Sequence, residues 1–303
     1  MSDKDTKLTR ISELALVLVT VFWGSSFVVA RVALDSGMSP LFILLGRFLI
    51  GTAFMGAVLL WQRAPIKAAY VKPGIILGVI FFLGFITQLT GLQYTTPSNN
   101  AIITASAVVI TPFISWMVTK RRPAAIMFIA CVIALVGMVV VSVDFSYRFA
   151  FNYGDILTFI SAIMFAGQFV AVEQFTRRIN HYVLVFMQFA VAVSLSAVFF
   201  MFTGDAPVLQ GNMSGIFAVV YLGVACTVIC FLLQAWALKK VSATRSAIIF
   251  SLEAFFAVII AVLVGLDVIS WRVASGGLLI MLAISLPSLY VMMREYISNR
   301  RLP

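Results

Sequence analysis

The sequence predicts an all-α integral membrane protein in which ten transmembrane helices form two inverted five-helix repeats around a central cavity. Three observations carry this expectation. The chain is too apolar for water, one stretch recurs about half a chain later, and the charges of the two copies differ as they would on opposite sides of a bilayer.

Hydrophobic residues make up 62% of the 303 positions and charged residues only 11%, with a mean hydropathy of +1.10, whereas a soluble domain is about 25% charged. The solvent of this chain is lipid. A formal net charge of +10 would suggest nucleic acid as a partner of a soluble protein. Here the Lys and Arg residues sit in short connections between apolar runs, where membrane topology accounts for them, and no polar domain is left to bind nucleic acid.

The recurring stretch is Gly91-Leu-Gln-Tyr-Thr-Thr-Pro-Ser-Asn-Asn-Ala-Ile-Ile103, which returns as Ala237-Leu-Lys-Lys-Val-Ser-Ala-Thr-Arg-Ser-Ala-Ile-Ile249, an offset of 146 residues. Gln93 and Tyr94 become Lys239 and Lys240, and Asn99 becomes Arg245. Lys and Arg gather on the cytoplasmic side of membrane proteins, so the swap places the copies in opposite orientations. Inverted repeats are a common ground plan of secondary transporters. Weaker echoes support the register: Trp23-Gly-Ser-Ser-Phe27 faces Phe165-Ala-Gly-Gln-Phe169 at offset 142, Leu77-Gly78 faces Leu222-Gly223 at 145, and Gln88 faces Gln234 at 146.

A hydrocarbon core of ~30 Å takes about 20 apolar residues per helix. Ten stretches meet that length: 14–34, 41–61, 74–94, 98–119, 123–143, 156–176, 182–203, 213–238, 243–266 and 273–293. Alternate connections hold the basic residues, among them Arg63, Lys67 and Lys72, then Lys120 to Arg122, then Arg177 and Arg178, then Lys239 and Lys240. The remaining connections carry Asp35, Asp144, Asp155, Asp205 and Asp267. Both termini are therefore expected in the cytoplasm of a cell whose plasma or inner membrane the chain crosses. Five spans per half is an odd number, so the second half must enter the membrane upside down. The expected organisation is a leader at 1–10, a first repeat at 11–144, an external link at 145–153, a second repeat at 154–293 and a cytoplasmic tail at 294–303.

Several of these motifs together resemble the EamA-type exporters of the drug/metabolite transporter superfamily. They are Trp23-Gly-Ser-Ser-Phe-Val-Val-Ala-Arg31, the Ser98-Asn99-Asn100-Ala101 entry to the fourth span, Thr111-Pro112 within it, and Val241-Ser-Ala-Thr-Arg-Ser-Ala247 leading to Glu253. The resemblance covers the chain from about Ile11 to Met293 in two units. Ala254 stands where the second unit of the family often has Pro. The family implies a central cavity and the export of amino acids or similar small metabolites. Efflux of multidrug or cationic compounds, or metabolite uptake, are the alternatives, with a non-transporting receptor or scaffold more remote.

Candidate binding residues are the polar and aromatic side chains expected near the repeat axis: Trp23, Ser25, Gln88, Asn100, Trp116, Gln168 and Gln234. A substrate bound there would be touched by both halves. Amide and hydroxyl groups in hydrocarbon also serve as interhelical glue, so structural roles stand beside binding roles for each. Trp23 and Trp116 offer an apolar ring with a polar handle.

An ionisable side chain at mid-helix costs about 2.5–3.5 kcal/mol on insertion scales and asks for a partner or a wet cavity. Arg47 admits two accounts, a bidentate seat for a carboxylate or a scaffold pairing with Glu253 or with carbonyls freed near Pro112. Glu253 likewise suits proton coupling or substrate binding on one account and a structural ion pair on the other. Glu173, close to a helix end, is placed to snorkel toward the interface.

Enzymatic readings find no footing. Cys131, Cys226 and Cys230 lie inside apolar runs without metal-ligand spacing, His181 is the single histidine, and neither a nucleophile motif nor a phosphate-binding Gly-rich loop occurs. The expected partners are a small-molecule substrate, the lipid bilayer and protons as a candidate coupling ion, with no cofactor and no metal. A monomer is compatible with the expected fold.

Overall fold

The structure is a computed structural model. It describes residues 3–120, 122, 124–142, 152–203, 213–250, 252–268 and 270–300. Asp144, Arg148, Asp205 and all but the last two residues of the expected 145–153 link lie outside these, as do the side chains of Cys131 and Arg245.

The described residues form helices, several of them joined by short turns. They are α1 (Asp3–Asp35), α2 (Pro40–Gln62), α3 (Val71–Leu92), α4 (Pro97–Ala105), α5 (Ala107–Thr119), α6 (Ala125–Ser142), α7 (Tyr153–Thr176), α8 (His181–Thr203), α9 (Met213–Tyr221), a π-helical segment (Leu222–Ile229), α10 (Cys230–Ala237), α11 (Ala243–Phe250), α12 (Leu252–Leu263) and α13 (Trp271–Arg300). Seven helical runs among the described residues are long and apolar enough to cross a bilayer: Leu8–Asp35, Pro40–Gln62, Ala68–Leu92, Pro97–Thr119, Tyr153–Thr176, His181–Thr203 and Met213–Ala237. Each corresponds to a predicted span. The other three predicted spans fall on α6, on α11 with α12, and on α13.

Local chemistry fixes where helices start and stop. Ser39 caps α2 by accepting a hydrogen bond from the Phe42 N–H (3.3 Å), with Pro40 following. Thr96 does the same for Asn99 (3.2 Å) ahead of Pro97, and Asn152 for Gly154 (2.8 Å). Proline suits this first position because its missing N–H would have no partner there anyway. Arg63 and Lys120 end α2 and α5 in the left-handed region.

Two predicted spans are interrupted where sequence periodicity is silent. The fourth breaks at Ser106, which separates α4 from α5, with Pro112 within α5. Proline supplies no N–H to the carbonyl four residues earlier, that of Val108. The eighth widens into the π-helical segment, where the Thr227 hydroxyl donates to the Leu222 carbonyl at 2.7 Å, a reach of five residues.

The packing has the symmetry the repeats imply. Helix α1 packs on the α9–α10 run and on α11 and α12, while α7 packs on α3 and on α4 and α5; α2 pairs with α8, and α6 with α13. Exchanging the two repeats maps this set of pairings onto itself. The partners α2 and α8 run antiparallel: Phe42 meets Phe200, with ring centres 5.9 Å apart, Gly51 abuts Phe189, and Gly56 abuts Phe186. Equivalent helices of opposite direction make the repeat an inverted one.

The same contacts refine the alignment. Gly74 and Gly78 of α3 abut Met187 and Val191 of α8, while Gly46 and Ile50 of α2 abut Val219 and Gly223. With α3 and α9 matched at offset 145, residues 46 and 50 match 187 and 191. Arg47 is thereby the counterpart of Gln188.

Candidate functional site

A cavity lies where the two repeats meet, lined by side chains of α1, α2, α3, α4, α5, α7, α10, α11 and α12. Six aromatic rings form a continuous belt on its wall. Phe165 meets Phe85 (4.9 Å between centres), Phe85 meets Phe231 (6.1 Å), and Phe231 meets Trp23 (5.1 Å). Trp23 then meets Phe250 (4.9 Å), and Phe250 meets Phe169 (5.0 Å). Tilted and edge contacts of this kind suit the ring quadrupoles. Two-fold partners recur in the belt: Trp23 with Phe165 at offset 142, and Phe85 with Phe231 at 146.

The polar groups on the wall are Ser26, Arg47, Gln88, Thr104, Gln168 and Glu253. Arg47 is 3% exposed. Its Nε donates to Thr227 Oγ1 at 2.8 Å, its guanidinium carbon sits 4.2 Å from the centre of the Phe85 ring, and its Nη2 has no hydrogen-bond partner among the described residues. The π-helical segment thus supplies one anchor for the guanidinium, and Phe85 a stacking face. Glu253, near the start of α12, is half-buried and lines the same cavity. No salt bridge joins it to Arg47 among the described residues. Glycine brings the Glu253 helix close, since a Cβ at Gly24 would lie 2.6 Å from Phe256 Cβ and 2.9 Å from the Glu253 carbonyl.

The second repeat answers the Arg47 side with amides. Gln168 and Gln234 exchange hydrogen bonds at 3.2 Å in both directions, and Gln168 Nε2 also reaches Gln188 Oε1 at 3.4 Å. Under the two-fold, Gln168, Gln188 and Gln234 correspond to Ser26, Arg47 and Gln88. All three amides are buried.

The remaining sequence candidates divide by place. Trp23, Gln88 and Gln168 line the cavity, as do Arg47 and Glu253. The Trp23 indole N–H is already committed to the Cys226 carbonyl at 3.0 Å, so the residue offers its ring. Gln88 Nε2 donates to Thr104 Oγ1 at 3.3 Å. Asn100 is buried at the edge of a smaller annex, which shares Ser26, Arg47, Phe85 and Gln88 with the main cavity. Its Nδ2 donates to Thr158 Oγ1 (2.7 Å) and the Gln88 carbonyl (3.2 Å), which ties α4 to α7 and α3. Gln234 stands behind Gln168. Ser25 and Trp116 are not on the cavity wall. Ser25 bonds the Tyr221 hydroxyl at 2.8 Å, and Trp116 lies beneath Arg122 near the end of α5. Glu173 does not snorkel. It is 8% exposed, accepts from Arg177 Nη2 at 2.8 Å and holds the Ala243 N–H at 3.2 Å, because the first turn of α11 has free N–H groups to offer.

Sequence reasoning missed Phe85, Phe165, Phe169, Phe231, Phe250 and Thr227. With 27 phenylalanines in the chain, composition singles out none of them; the two-fold offset, applied to Phe residues, would have found the Phe85 and Phe231 pair.

Fold and site together define a multi-pass membrane transporter. The EamA-like transporter family matches the chain twice, over residues 10–143 and 152–289, and the chain belongs to that family. An uncharacterized transporter of Archaeoglobus fulgidus is 33% identical over 284 residues, spanning 92% of this chain and 86% of that protein. The Bacillus subtilis uncharacterized transporter YcxC is 24% identical over 283 residues, spanning 89% and 90%. A solved structure described as "Crystal structure of protein" shares the fold, with a TM-score of 0.70 at 18% identity over 92% of this chain and 98% of that one.

Proposed function

We propose that this transporter is a secondary-active carrier that exports amino acids or similar small metabolites by alternating access. The observation that carries this reading is the chamber at the junction of the inverted repeats, with Arg47 and Glu253 presented to it without a salt bridge between them. The belt of six rings suits an apolar side chain. Rocking of one repeat against the other would expose the chamber to each side in turn.

Glu253 is the acidic side chain on the chamber wall, and we assign it the coupling role, with protons as the coupling ion. The alternating Lys and Arg connections support a cell-membrane location with both termini in the cytoplasm. The family match supports reading the chain as a carrier rather than an enzyme.

A second reading is efflux of cationic compounds, favoured by aromatic rings and a carboxylate on one wall. Counterflow in vesicles reconstituted with purified protein tests both, using labelled neutral amino acids and labelled lipophilic cations. Exchange of amino acids above protein-free vesicles is the expected result. Exchange of the cations alone would replace the first reading with the second, and no exchange of either would reject both.

A further inference from the structure

The polar wall of the chamber is asymmetric in a way the two-fold does not require. In the second repeat Gln168 and Gln234 satisfy one another, and Gln188 serves Gln168 as an acceptor while its neutral Nε2 stays buried without a partner among the described residues. In the first repeat Arg47, at the place equivalent to Gln188, has among the described residues one anchoring bond, to Thr227, and a buried, cationic Nη2 without a partner. A guanidinium carries five N–H donors in a rigid plane. Stacking on Phe85 occupies its face and leaves its edge to be satisfied. A buried cation with unmet donors is costly in hydrocarbon, and an arginine that served only as scaffold would be expected to spend those donors on carbonyls or on Glu253.

We propose that the free edge of Arg47 is the seat of a substrate carboxylate, so that the carrier selects zwitterions whose ammonium faces Glu253 and whose apolar side chain lies on the aromatic belt. The inference rests on the amino-acid reading above and narrows it to the carboxylate as the group recognised. The charges on the wall favour this ligand class over its neighbours. A zwitterion meets one cation and one anion and leaves the chamber balanced. A dianionic phosphate would have a single cation to meet and Glu253 to oppose it, and an amine without a carboxylate would leave Arg47 unmatched in a low dielectric. Thr227 is a positioning residue, holding the guanidinium from the π-helical segment while Phe85 fixes its plane.

The test is equilibrium binding to purified full-length protein in nanodiscs, with L-phenylalanine and L-leucine as zwitterions, phenethylamine and isopentylamine as their decarboxylated amines, and 3-phenylpropionate. Each zwitterion is expected to bind about 30-fold or more tightly than its amine, in keeping with the loss of one partner from a buried charge pair. Arg47→Gln should erase that preference, Arg47→Lys should keep part of it, and Thr227→Ala should reduce it while the protein remains monodisperse. The comparison of zwitterion with amine on the unaltered protein decides the matter even if Arg47→Gln fails to fold. Equal affinity for zwitterion and amine would overturn the carboxylate seat and leave the carrier reading standing. An unchanged preference in folded Arg47→Gln would do the same. Binding and flux of none of the five compounds would overturn the amino-acid reading and the inference with it.

Discussion

Arg47 and Gln188 occupy equivalent places in two repeats of opposite orientation, and they meet different fates. Arg47 reaches across to Thr227 of the π-helical segment at 2.8 Å, whereas Gln188 accepts a hydrogen bond from Gln168 at 3.4 Å. One half of the chamber is charged and the other is an amide cluster; Arg47 Nη2 and Gln188 Nε2 are both buried without a hydrogen-bond partner among the described residues. An inverted repeat alone would give a symmetric chamber; the difference between these two residues is one of the places where it departs from that symmetry.

The Thr227 anchor can be tested apart from the charge. Thr227→Val removes the acceptor for Arg47 Nε and keeps the side-chain shape. A hydrogen bond to a charged group contributes about 1.5–3 kcal/mol. The apparent KM for counterflow should rise by about ten-fold or more at that energy, with the maximal rate altered less. A KM equal to that of the parent would show that Phe85 stacking alone positions the guanidinium.

Glu253→Gln should uncouple transport from protons. In vesicles with an imposed pH gradient, uphill movement of labelled substrate should be lost, while counterflow exchange without a gradient persists. Gradient-driven accumulation that survives the substitution would remove Glu253 from the coupling role.

The Gln168 and Gln234 pair is expected to hold α7 to α10. Interhelical hydrogen bonds in membranes average ~0.6 kcal/mol and reach ~1.7 kcal/mol. A double-mutant cycle of Gln168→Ala and Gln234→Ala, followed by thermal unfolding in detergent, should give a coupling energy in that range. Strict additivity would mean that the two amides act independently.

Gly91 is required by close approach, since a Cβ there would lie 2.6 Å from Thr158 Oγ1 and 2.7 Å from the Gly154 carbonyl. Gly91→Ala should lower stability by about 1–3 kcal/mol, the usual penalty of overpacking. A melting temperature equal to that of the parent would mean that α3 and α7 can separate freely.

Arg31 and Glu173 are also two-fold counterparts, at offset 142, Arg31 tying its helix to the turn before α4 and Glu173 tying its helix to the start of α11. Arg31 Nη1 donates to the Leu92 and Thr95 carbonyls at 3.3 and 3.4 Å, and Glu173 accepts from the Ala243 N–H at 3.2 Å. Arg31→Ala and Glu173→Ala should therefore loosen opposite ends of the molecule. With the native cysteines replaced, a Ser26→Cys reporter should become open to impermeant thiol reagents from opposite faces of the membrane in the two variants. Labelling from the same face in both would reject the pair as opposed latches.

Much of the architecture was legible because lipid imposes strong, local rules. A run of apolar residues must satisfy its own backbone as a helix, so 182–203 announces α8 without any knowledge of its neighbours. The swap of Gln93 and Tyr94 for Lys239 and Lys240 already implied inversion, which the antiparallel contacts of α2 and α8 then display. The site was legible only where a polar residue stood out from hydrocarbon, as Arg47 and Glu253 do. Ser25 and Trp116 stood out equally and lie off the chamber wall, because a helix presents each residue to one direction only and the sequence does not say which neighbour lies there.

By itself the sequence determined the solvent, the helices, the twofold repetition and its inversion, since hydropathy and charge act along the chain and need no partner. Only the tertiary structure decided which phenylalanines line the chamber, that α10 follows a π-helical segment offering Thr227 to Arg47, and that Glu173 is buried against α11. Those outcomes depend on contacts between residues as far apart as Arg47 and Thr227, where packing of one surface against another sets the geometry.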